Sequence, residues 1–68
     1  MSIARVTEIS ASSKKGFEDA IKVGLKRADK TLRGIKGAWV KEQKVTYKDG
    51  DVDEFQVNIL VTFELDDN

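Results

Sequence analysis

The sequence predicts an α+β fold in which one helix packs on a three-stranded antiparallel sheet, in the order β-α-β-β. Three observations predict it. Apolar residues between Phe17 and Leu32 recur at helical spacing, and the run Val52 to Leu65 alternates like a strand. Between a second β-rich segment and that run stands Lys48-Asp49-Gly50-Asp51, a hairpin signal. At 68 residues the chain has room for one domain, residues 1–68.

The first strand is expected over Ile3 to Ile9, where Ile3, Val6, Thr7 and Ile9 are β-branched. Ser10-Ala11-Ser12-Ser13 then breaks the strand and offers hydroxyls for a helix N-cap. From about Lys14 to Leu32, Phe17, Ala20, Ile21, Leu25, Ala28 and Leu32 form one apolar stripe, joined by Gly24 and Thr31. Lys22, Lys26, Asp29, Lys30 and Arg33 occupy the opposite side. Glu18 precedes Lys22 by one turn in the favourable order. Lys14 and Lys15 oppose the helix dipole, which Glu18 and Asp19 partly offset. Gly34 or Gly37 suits the helix end, because glycine enters the left-handed conformation cheaply.

The second strand is expected over Ala38 to Tyr47, followed by the Asp49-Gly50 turn. The third, Val52 to Leu65, sets Phe55, Val57, Ile59, Val61, Phe63 and Leu65 on one face, the face that meets the helix stripe. A two-residue turn pairs Lys48 with Asp51. Val40 then stands opposite Ile59 under the helix, while Trp39 stands opposite Leu60 on the outer face. The same register sets Gln43 opposite Gln56 and Lys41 opposite Asn58, again outside; one more loop residue would reverse the faces. The expected outer face therefore mixes Trp39, Val45, Tyr47 and Leu60 with Lys41, Gln43, Gln56, Asn58 and Thr62. A lone subunit would leave its single tryptophan and single tyrosine wet there, a composition typical of interfaces and ligand platforms.

Composition narrows the function. Twelve basic residues balance twelve acidic ones, which lacks the positive field of a nucleic-acid binder. No apolar run is long enough to span a bilayer and no charged-then-apolar leader opens the chain, so a soluble, cytoplasmic protein with no membrane or nucleic-acid partner is expected. With no cysteine or histidine, disulfides, ordinary zinc sites and the common nucleophile–base arrangements are excluded. Asp49, Asp51, Asp53 and Glu54 form an acidic hairpin, but Glu54 stands where a calcium-binding EF-hand loop needs glycine, so a solvated turn is the reading. Asp53 and Glu54 point to opposite faces of their strand and cannot work as a catalytic pair. Binding, and not catalysis, is expected. A chain this short buries only about 60% of its unfolded surface, and oligomerisation is the remaining means of completing it.

The residues also carry a family resemblance, running from Val6 to Leu65. Ser10-Ala11-Ser12-Ser13 with Phe17-Glu18-Asp19-Ala20, Arg27-Ala28-Asp29-Lys30-Thr31-Leu32-Arg33, Phe55-Gln56-Val57 and Val61-Thr62-Phe63-Glu64-Leu65 together resemble the dodecins. That resemblance implies a hollow homododecamer that binds and stores a flavin (riboflavin, FMN or FAD) between subunits. It implies that Gln56 hydrogen-bonds the ring edge and that Glu42 takes the place of the family's acidic residue. The family's stacking tryptophan has no counterpart, because its position holds Gly37. Trp39, two residues on and facing Leu60, either substitutes as the stacking platform or packs a subunit interface. The candidate flavin-binding set is thus Gln56, Trp39, Gly37, Glu42 and Leu60, with no catalytic or metal residue. The alternative is a dodecin-like dodecamer that binds no flavin and serves as a scaffold or as a binder of another small molecule or metal ion.

Overall fold

The helix stripe and the alternating third strand meet as expected. The computed structural model describes residues 3–65, with β1 (Ala4–Ser13), α1 (Phe17–Ala28), β2 (Ile35–Lys48) and β3 (Asp51–Glu64). The strands form one antiparallel sheet in the order β1-β3-β2, so β3 is central. Its alternation explains that position: Val57, Ile59 and Val61 are fully buried beneath α1, and Phe63 is nearly so. Ala20 completes the buried centre, with Ile9, Ala11, Phe17, Ile21, Leu25 and Val40 packed around it. Phe17 closes the N-terminal end of the core edge-on against Phe55, with ring centroids 5.2 Å apart.

The helix lies mainly over β1 and β3. At Gly24 it approaches so closely that an added Cβ would stand 2.8 Å from the Ala11 Cβ. Ala11 cannot rotate away, so Gly24→Leu forces the helix off the sheet. A stability loss of about 1–3 kcal/mol, the usual cost of overpacking, is expected. A urea midpoint unchanged in this variant would show that the helix–sheet spacing is not fixed at Gly24.

Both ends of the helix differ from expectation. It begins at Phe17, not Lys14, because β1 continues through Ser10–Ser13 and pairs Ser13 with Phe55. The ladder to β3 thus overrides the local turn preference of the serines. Gly16 is the N-cap and supplies no side chain. The Ser13 hydroxyl instead accepts the Lys15 N–H at 2.9 Å and donates to Asp19 at 2.6 Å, tying strand end to helix start. At the other end the helix closes at Ala28 with Asp29 as its C-cap, and the Ala28 carbonyl accepts the N–H groups of Thr31 and Leu32. Gly34, at φ 70°, makes the reversal into β2, whereas Gly37 lies inside that strand.

The hairpin has the two-residue turn expected, with positive φ at Asp49 (53°) and Gly50 (80°) and Lys48 opposite Asp51. Trp39 opposite Leu60 and Val40 opposite Ile59 also hold. Between these points the register departs. A bulge on β2 leaves Lys41 without a partner, and a second irregularity on β3 skips Asp53. In the interval Glu42 pairs with Asn58, Gln43 with Val57, Lys44 with Gln56 and Val45 with Phe55. Gln43 is therefore not opposite Gln56, nor Lys41 opposite Asn58. Partners share a face, so Gln43 and Val45 turn to the helix side with Val57 and Phe55, and strand alternation takes Tyr47 there too. A bulge inserts one residue and exchanges the faces beyond it.

Candidate functional site

The bulge builds the outer face. Gly37 opposite Thr62, Trp39 opposite Leu60, Glu42 opposite Asn58 and Lys44 opposite Gln56 form successive rungs on the side away from the helix. On β1, Val6, Glu8, Ser10 and Ser12 pair with Thr62, Leu60, Asn58 and Gln56 and extend the same surface. All five residues singled out from the sequence, Gln56, Trp39, Gly37, Glu42 and Leu60, thus share one face. Without the bulge Glu42 would have followed Val40 to the helix side. Its mark is that Val40 and Val45 both face the helix side, although an unbroken strand would separate an even from an odd position.

Trp39 is 68% exposed and Val6 is 56% exposed, while Leu60 and Gln56 are half-buried. At Gly37 an added Cβ would meet no atom within 4 Å, so the position beside Trp39 opens onto free space. Its φ is not in the left-handed region, so the backbone there accepts a side chain.

Polar groups lie between Trp39 and Gln56. The Lys41 ammonium reaches across β3 and donates to Glu8 Oε1 at 3.5 Å. Asn58 Nδ2 donates to Glu8 Oε2 at 3.4 Å. Residues of all three strands therefore meet on one carboxylate, a cluster that sequence reading missed because Glu8 and Lys41 are far apart in the chain. The pair is about half-exposed, so solvent screening leaves it little stabilising value. Its consequence is placement: the Lys41 ammonium lies beside Glu8 on the outer face.

The acidic hairpin does not gather into a site. Asp53 pairs with Lys14 at 3.4 Å, and the Asp51 side chain accepts its neighbour's backbone N–H at 2.8 Å. Among the described residues no group of three or more acidic, histidine or cysteine side chains is placed to hold a metal ion. Two surface hollows lie elsewhere, one where Leu32, Arg33 and Gly34 meet Phe63 and Leu65, the other along the helix at Val23, Lys26, Arg27 and Lys30. No helix among the described residues is long and apolar enough to cross a membrane.

Comparison with known proteins agrees with the sheet-and-helix layout. The sequence model of the Dodecin family matches residues 3–66. A dodecin of Thermus thermophilus is 37% identical over 65 residues, which is 96% of this chain and 94% of that one. Among solved structures, a T. thermophilus protein superposes with a TM-score of 0.94 at 35% identity, covering 100% of both chains. The dodecin of Streptomyces davaonensis gives 0.93 at 35% identity over 97% of each chain. A tryptophan-to-phenylalanine variant of the T. thermophilus dodecin gives 0.93 at 36% identity, over 98% of this chain and 100% of that one. With the family model matched almost end to end and the fold shared in full, the chain belongs to the dodecin family.

Proposed function

We propose that this protein is a cytoplasmic flavin-binding and storage protein whose outer sheet face holds the flavin between subunits of a homododecamer. The reading is one of sequestration without turnover. An isoalloxazine ring asks for a flat aromatic surface and for hydrogen-bonding groups at its edge. The residues fit that demand: Trp39 offers an exposed indole, Gln56 a carboxamide, and Leu60 apolar surface beside the indole, all on one face. In this reading Trp39 is the stacking platform, Gly37 leaves clearance beside it, and Glu42 completes the polar edge. When bound, the flavin supplies a redox-active ring, and the protein's part is to stack it, orient its edge and keep water from it.

The observation that carries the reading is that 68% of Trp39 lies open on a strand surface no helix covers. A large apolar side chain left so exposed marks a surface that another molecule covers. Riboflavin titrated with the protein is expected to lose its fluorescence at micromolar concentration, because a stacked indole quenches the excited ring by electron transfer. Unchanged flavin emission in excess protein would remove this function.

Gly37 favours a second reading. It stands where the resemblance expects the stacking tryptophan, and open space replaces that indole. The same assembly would then carry no flavin and act as a scaffold or as a binder of another small molecule.

A further inference from the structure

The rungs between Trp39 and Gln56 have a composition of their own. Leu60, partner of Trp39, and Gln56 are separated along β3 by the rung of Asn58 and Glu42. At strand spacing the interval is about 13 Å. A planar ligand that stacks on Trp39 and reaches Gln56 must cross that rung. Next to it on β2 is the bulged Lys41, whose ammonium donates across β3 to Glu8 of the Trp39–Leu60 rung, while Glu8 also accepts from Asn58. An ammonium has three N–H donors and no acceptor, and Glu8 engages Lys41 on one side only. A neighbouring cation, Lys44, sits on the Gln56 rung and lacks any such tether among the described residues.

We infer that Lys41 is a specificity-determining donor of this face, directed at carbonyl oxygens on the edge of a flat heterocycle, and that Glu8 is the residue that positions it. The inference rests on the flavin-binding reading and adds to it the residue that tells a carbonyl-bearing ring from a bare one. Lys41→Met keeps the stem that covers the sheet and removes the charged donor. Glu8→Gln keeps the shape of residue 8 and removes the charge that tethers Lys41.

The test measures the dissociation constants of riboflavin and of acridine, a three-ring heterocycle without carbonyls, at pH 8 where acridine is neutral. Wild type, Lys41→Met, Glu8→Gln and Lys41→Arg are compared, each with its assembly state checked by native mass. Lys41→Met is expected to weaken riboflavin about tenfold, the worth of a charged hydrogen bond, and to leave acridine within about twofold. Glu8→Gln is expected to weaken riboflavin by a smaller factor in the same selective way, and Lys41→Arg to recover most of the loss. Equal losses for both ligands, or none for riboflavin, overturn the role of Lys41 while leaving the flavin site in place. Should Lys41→Met fail to assemble, the selectivity of Glu8→Gln decides by the same criterion. A wild-type protein that binds no riboflavin removes the flavin reading itself, and this inference with it.

Discussion

Ile59→Ala is expected to lower the stability of the folded subunit by about 2–5 kcal/mol, the largest effect of any change considered. Ile59 is fully buried at the centre of β3, paired with Ile9 on one side and Val40 on the other. Above it the helix passes at Gly24, where an added Cβ would stand 3.7 Å from the Ile59 Cδ1. Truncation removes the aliphatic branch that fills the space under the helix. The cavity cannot collapse easily, because the ladders on both sides of β3 hold the backbone. Urea unfolding at a fixed protein concentration measures the loss, the concentration being held because any self-association shifts apparent stability. A loss below about 1 kcal/mol would mean that the helix settles into the vacancy and that the spacing at Gly24 is looser than described.

The second large effect concerns the outer face. Trp39→Ala is expected to weaken riboflavin binding by about 5–150-fold, since stacking an aromatic ring on a heterocycle is worth about 1–3 kcal/mol. Bound flavin should also keep more of its emission, the quenching indole having gone. Trp39 is exposed on the subunit and contributes nothing to the core beneath the helix, so the subunit fold is expected to survive. Native mass of the variant separates a lost platform from a lost assembly. Gly37→Trp is the companion. With free space at its Cβ, the new indole fits on the subunit but crowds the clearance beside Trp39, about 7 Å away along the strand, and no gain in affinity is expected. A strong gain in Gly37→Trp, together with no loss in Trp39→Ala, would move the platform to position 37. The second reading, a shell that lacks flavin for want of that ring, would then be the better one.

How much of this was legible in the sequence depended on what each signal had to compete with. Val57, Ile59 and Val61 alternate without interruption and are buried as read, because a central strand under a helix leaves alternation no rival. Asp49-Gly50 marked a turn that needs positive φ, and of the two loop lengths left open the two-residue one is found, with positive φ at both positions. Ser10 to Ser13 read as a break because serine favours caps and turns, yet the ladder to β3 drew them into the strand. The bulge at Lys41 was missed because Val-Lys-Glu-Gln is compatible with plain alternation. That one residue decided the site. It exchanged Val45 and Gln43 for Glu42 and Lys44 on the outer face and brought Glu42 beside Trp39 and Gln56. The meeting of Glu8, Lys41 and Asn58 is a tertiary event that no local pattern announces.

A native mass spectrum of the protein with added riboflavin decides between a flavin-loaded shell and free chains. The expected species has twelve times the 7.6 kDa chain mass and carries bound flavin. A spectrum of free 7.6 kDa chains, or of a shell with no flavin mass, would contradict it.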